Sequence, residues 1–264
     1  MISTTTTRYM SKSTFPGADR VNSSLWVGGD GKKQGGTTQW LPYWTNGNVP
    51  LVALIRAAGP DAVKQLNSDL ALPDVIDDWM DFVLAHTNKT NGWIGPYLNE
   101  PGDGNGHGLW DPLNMIRSLL MHMEAKPELA KQVAKATVAH LTHEYKLLTT
   151  DPVIKWAQTR WPTFVEICQY VIDELVPKFG GDTDVMPMGG PTTTEMLMNA
   201  SVLFAQKGMD WYANAQPSLD SYDILFVSAC YCTDRYGYYH QTGHIKFPEQ
   251  PVNGWNTNDH GVNK

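Results

Sequence analysis

The sequence predicts an all-α domain built of helical hairpins packed side by side. Between residues 49 and 208 apolar side chains recur at i, i+3/i+4 and i+7, the repeat of helices with one buried face. Strand signals are sparse, and the segments between helical runs carry Trp, Gly, Pro and His. Hydrophobic residues make up 42% and charged residues 18% of 264 positions, so the chain can bury a core and does not read as disordered.

Each element has its own signal. Residues 1–48 are rich in Thr, Ser, Gly and Asn, and 1–35 read as a flexible N-terminal segment ahead of a domain spanning 36–264. Val49 to Ala58 reads as a short apolar helix stopped by Gly59-Pro60. Asp74 to His86 sets Val75, Ile76, Trp79, Phe82 and Val83 on one face, and Asn91-Gly92 ends that region. Asp111-Pro112 reads as an N-cap with proline at the first helical position, followed by Leu113, Ile116, Leu120 and Met123. Pro127 opens a helix with a stripe from Ala130 to Leu148, and Pro162 another with Phe164, Cys168, Val171, Ile172 and Leu175 inward. Thr192-Thr193-Thr194-Glu195 has the form of a capping box, and Gly208 ends the helix it starts. Ile224 to Val227 is an isolated strand signal.

Charge and cysteine content exclude several classes. A net charge of -7 argues against nucleic acid or an anionic membrane as partner, since both select basic faces. No apolar run reaches the ~18 residues of a spanning helix, so no membrane partner is expected. Cys168, Cys230 and Cys232 cannot all pair within the chain, which excludes a disulfide scaffold. No signal peptide is visible at the N-terminus. Sequons at Asn22, Asn88 and Asn199 leave the compartment open. Gly-x-Ser-x-Gly, P-loop and GxGxxG patterns are missing, which removes the common serine hydrolase and nucleotide readings.

The turn-rich segments are aromatic. Trp40-Leu41-Pro42-Tyr43-Trp44 runs on to Val49-Pro50-Leu51, and Asn91-Gly92-Trp93-Ile94-Gly95-Pro96 forms a second cluster. Such rings stack on the apolar face of a sugar, or else fill a core. Trp110-Asp111-Pro112 through Ala125, Arg160-Trp161 through Asp173, and His260-Gly261-Val262-Asn263 follow in order. In order and spacing these segments resemble the front part of the catalytic domain of glycoside hydrolase family 127, the β-L-arabinofuranosidase-like enzymes, over residues 36–212 and 258–264.

That resemblance implies an incomplete (α/α)6 toroid whose rim binds a terminal sugar, commonly an L-arabinofuranose, in an exo-acting retaining hydrolase. It implies secretion, and a sugar site formed by Trp44, Trp93, Trp110, Asp111 and His260. In the best-studied branch of the family a zinc-held cysteine is the nucleophile and a glutamate the acid/base. By this resemblance both would lie downstream of the His260-Gly261-Val262-Asn263 segment, so no cofactor or metal is expected in this chain and no catalytic residue is assigned.

The residues themselves leave alternatives open. Asp111 contacts substrate or merely caps a helix, and His260 faces the sugar or sits in a frayed tail. Cys230-Tyr231-Cys232 with His240 and His244 offers thiolate and imidazole ligands, but the cysteine spacing is not that of a structural zinc site. The plainer reading is an irregular insertion over 219–245. Hydrolysis needs two carboxyl groups, and the loop acids are Glu100, Asp103, Asp111, Asp210, Asp234 and Asp259. His140 and His143, three apart in the long helix, read as a partly buried or solvated pair.

The expectation is therefore a glycosidase-like domain acting on or binding a terminal L-arabinofuranose or similar sugar, incomplete for catalysis. The alternative is a non-catalytic helical carbohydrate-binding or remnant protein. A different (α/α) barrel enzyme, such as a lyase, is a third. A half-toroid would leave helix faces uncovered, which predicts self-association.

Overall fold

A computed structural model of the chain describes Trp26 and residues 37–67, 72–95, 107–153 and 156–209. The all-α class holds: the described residues are helical with short connections, and no strand occurs among them. The strand signal at 224–227, the 219–245 segment, the Cys230–His244 cluster and His260 lie outside them, as do Glu100, Asp103, Asp210, Asp234 and Asp259. No helix among the described residues is long and apolar enough to cross a membrane.

Two compact units make up the chain. The first comprises residues 1–98 and 111–143, the second 99–110 and 144–264. In the first unit α1 (Thr37–Ala57) packs on α2 (Pro60–Asn67) and on α3 (Leu72–Ala85). Then come α4 (His107–Ala125), a 3-10 turn at Pro127–Leu129 and α5 (Ala130–Thr150); the unit boundaries fall within α4 and α5.

Helix α1 corrects the sequence reading. The aromatic cluster at 40–44 is helical, not a loop, and the helix runs through Pro42, Gly47 and Pro50. Gly costs a helix about 1 kcal/mol and Pro about 3 relative to Ala. Burial outweighs that cost. Leu41, Thr45, Asn48, Val49, Val52 and Ile55 are all buried, and their spacing is that of one helical stripe. Asn48 Nδ2 donates to the Trp44 carbonyl at 2.7 Å, a side-chain bond within the helix itself.

In α3, Val75, Ile76, Trp79 and Val83 are buried as the periodicity predicts. Phe82 is not: it is 47% exposed, and Met80 takes the inward position instead. Helix α4 begins at His107, so Asp111 is not its N-cap but lies one turn inside. Leu113, Ile116, Leu120 and Met123 are buried as expected.

The second unit holds α6 (Trp156–Tyr170), a π-helical turn at Val171–Leu175, α7 (Val176–Phe179) and α8 (Gly190–Lys207). Pro162 lies inside α6 rather than opening it. Helix α6 packs on α8, with the Phe164 and Phe204 rings edge to face at 5.0 Å. The start of α8 also differs from the sequence reading. Gly189 is its N-cap, Pro191 stands in the first turn, and the Thr193 hydroxyl donates to the Gly189 carbonyl at 2.8 Å rather than capping an amide. Gly208 ends the helix as predicted, its N–H bonding the Phe204 carbonyl at 2.8 Å.

Candidate functional site

The turn after α3 is fixed by its own polar residues. Asn88 Oδ1 accepts from the N–H groups of Thr90 (2.8 Å) and Asn91 (3.3 Å), and Asn91 Oδ1 accepts from the Trp93 N–H at 2.9 Å. Gly92 and Gly95 have φ of +78° and +117°, a region costly for other L-residues. A Cβ on Gly92 would lie 2.5 Å from Ala139 Cβ on α5, and one on Gly95 would lie 3.0 Å from the Trp26 ring and 3.4 Å from Pro112 on α4. The turn thus rests on α5 at one end and on α4 at the other.

His140 receives it. The Ile94 N–H donates to His140 Nδ1 at 3.0 Å, which fixes the neutral tautomer with its proton on Nε2. Burial, and then His143, push the His140 pKa down to about 3. The Trp93 indole lies 4.6 Å from the His140 ring, tilted by 42°, and meets His143 edge-on at 5.8 Å.

Beside this turn α4 presents a buried polar stripe. Asp111, Asn114, Ser118 and His122 follow at i, i+3, i+7 and i+11, and all are buried. The Ser118 hydroxyl donates to Asn46 Oδ1 at 2.7 Å, which leaves it free to accept from Thr45 Oγ1, also 2.7 Å away. At the far end His122 Nε2 is 3.7 Å from Asp77 Oδ1, while Asp77 Oδ2 holds Arg56 at 2.7 Å and Lys126 at 2.5 Å. Burial lowers the His122 pKa, partly offset by Asp77. That end is a structural lock of α1, α3 and α4.

Asp111 is the anomaly of the stripe. It is 1% exposed, and neither carboxyl oxygen has a hydrogen-bond partner among the described residues. Burial raises its pKa from 3.8 to about 8, so it is an uncharged acid at neutral pH. Asn114 Oδ1 and Trp93 Nε1, both in the same unit, likewise lack partners among the described residues. Native proteins satisfy nearly all such groups, so each unmet donor or acceptor calls for a partner beyond the described residues, such as water or a ligand atom.

The predicted site residues divide accordingly. Of the predicted residues, Trp93 lies in the turn that rests on α4 through Gly95 and Pro112, the residue after Asp111; no contact joins Asp111 to Trp93 among those described. Trp93 itself is 1% exposed, so its ring is a wall of the core and not an open stacking platform. Trp44 is half-buried on α1. Trp110 lies in the first turn of α4, its side chain outside the described residues. His140, read from sequence as half of a partly buried or solvated pair with His143, is instead fully buried and holds the turn; Asn114 and Ser118 were not singled out, although their spacing from Asp111 was legible.

Among the described residues of the second unit, Glu144 and Cys168 are fully buried acidic groups. Burial raises the Glu144 pKa well above the carboxylate range. It also pushes the Cys168 thiol up, against the opposing hydrogen bond from Ser201, so Cys168 is a thiol and not a nucleophilic thiolate. Among the described residues no three His, Cys, Asp or Glu side chains are grouped to hold a metal.

No family model, no curated protein and no solved structure matches the chain.

Proposed function

We propose that the chain is a glycoside hydrolase-like domain whose first unit binds a terminal L-arabinofuranose or a similar neutral sugar. The observation that carries this reading is Asp111, a buried carboxyl with two oxygens unmatched among the described residues. An uncharged carboxyl both donates and accepts, as a sugar hydroxyl does, and Asn114 Oδ1 and Trp93 Nε1–H add an acceptor and a donor in the same unit. The ordered segments around Trp44, Trp93 and Trp110 that resemble family 127 supply the choice of sugar.

Binding without cleavage is a second reading, and one observation favours it. Glycosidases need a second carboxyl within ~5–10 Å of the first. Among the described residues burial alone raises the Asp111 pKa, and none of them supplies a neighbouring carboxylate that would raise it by repulsion. The test is calorimetry with arabinose-containing oligosaccharides together with release of an aryl group from aryl β-L-arabinofuranoside. Binding that Asp111→Asn weakens at least tenfold supports the reading, and release of the aryl group separates hydrolase from binder. Absence of sugar binding by the folded chain removes both.

A further inference from the structure

Two of the three sequons, Asn88-Lys89-Thr90 and Asn199-Ala200-Ser201, lie on described residues, and the structure separates them; Asn22 lies outside. An acceptor asparagine must offer its amide nitrogen, and the hydroxyl two residues on must be open to the transferase. Asn199 fails the second requirement. It lies inside α8, and the Ser201 side chain is buried with its hydroxyl donating to the Leu197 carbonyl at 2.8 Å. Asn88 stands in the turn after α3, half-buried, with Lys89 and Thr90 exposed beside it. Its Oδ1 accepts from the Thr90 and Asn91 N–H groups. Its own N–H donates to the Trp93 carbonyl at 2.9 Å, and its carbonyl accepts from the Gly92 N–H at 2.8 Å. All these bonds join residues 88 to 93, so the bend is held locally. Asn88 Nδ2 and the Thr90 hydroxyl make no hydrogen bond among the described residues.

We propose that Asn88 is an N-glycan acceptor, taking an oligosaccharide onto Nδ2 from a lipid-linked pyrophosphate donor. In the transfer a bond forms between Nδ2 and the anomeric carbon, and the bond from that carbon to the pyrophosphate oxygen breaks. The lipid pyrophosphate leaves with that electron pair, and one Nδ2 proton passes to a base of the transferase. The product amide keeps its Oδ1 and one N–H, so the bonds to Thr90 and Asn91 survive the modification. An exposed turn also leaves the added glycan in solvent, where it displaces no packed side chain. The proposal draws on the secretion that the family resemblance implies. It does not depend on the sugar-binding reading above.

The experiment incubates the folded full chain, made in a host that lacks the transferase, with purified oligosaccharyltransferase and its lipid-linked donor. A short sequon peptide in the same tube reports that the enzyme is active. Peptide mass spectrometry should find the oligosaccharide on Asn88 and leave Asn199 bare. Thr90→Ala keeps the backbone N–H that Asn88 Oδ1 accepts from and removes only an exposed hydroxyl, so it should abolish occupancy without disturbing the fold. Thr90→Ser should restore it, and circular dichroism of both variants should match the parent. A bare Asn88 alongside a glycosylated control peptide overturns the proposal. Occupancy of Asn199 equal to that of Asn88 also overturns it, because the fold would then select neither.

Discussion

At the scale of the residue, the consequences of burying Asp111 and His140 have opposite signs. Asp111 has a raised folded pKa, so its favourable contribution is fully present below 3.8 and is lost as pH rises through about 8. At about 1.4 kcal/mol per pKa unit the loss reaches several kcal/mol. Asp111→Asn keeps the shape without the charge, so urea melts should find the variant more stable than the parent at pH 8.5 and nearly equal at pH 4. Equal alkaline stability of the two proteins would refute the buried neutral acid. His140 has a depressed pKa, so what it contributes is present above 6.5 and is lost as pH falls toward about 3. Its ring should therefore stay neutral by NMR down to about pH 4, with Nδ1 as the unprotonated nitrogen.

At the scale of the element, packing decides what propensity leaves open. Gly92 cannot carry a side chain where α5 passes, with Ala139 Cβ only 2.5 Å from the position of an added Cβ. Gly92→Ala should cost more than about 2 kcal/mol in chemical denaturation, from steric overlap and from the +78° φ together. Ser118→Ala removes the hydroxyl that bridges Thr45 and Asn46 and leaves both with a lost partner, for about 1–3 kcal/mol. A stability loss below ~0.5 kcal/mol would show the bridge to be incidental. Sequence reading did well where apolar spacing was unbroken, as in α3, the second half of α4 and α5. It failed at α1 because Pro42, Gly47 and Pro50 are turn signals, and buried contacts along Leu41, Thr45, Asn48 and Val52 overrode them. It failed at Asp111 for a related reason: Asp before Pro is a common helix start, but the helix had already begun at His107.

At the scale of the whole molecule, the titrations combine into a stability profile. Asp111 and Glu144 both favour low pH, while His140 and His122 both favour high pH. Between about pH 4 and 6.5 the two pairs oppose each other. Above 6.5 the histidines are neutral in both states and the acids act alone, so stability falls by about 2 kcal/mol up to pH 8 from Asp111 by itself. Thermal melting should therefore show a broad maximum on the acid side of neutrality and a decline toward pH 9. A maximum above pH 8 would refute it. The all-α class was legible at this scale because helical periodicity is a property of long stretches. The candidate site was legible only in part, since sequence places Asp111 near an aromatic turn but cannot show that none of the described residues meets its oxygens.

The π-helical turn at Val171–Leu175 holds one residue more than an α-helical rod of the same rise. Excising that surplus, for instance by deleting Ile172, would restore a regular ladder yet swing everything beyond it by about 100° around the axis. Gly180 would then leave its seat against Gly190, where even an added methyl lies 3.2 Å from the opposing Cα. The insertion thus sets the angular phase at which the chain arrives at α8, and a shortened version would keep its helices while mis-docking them.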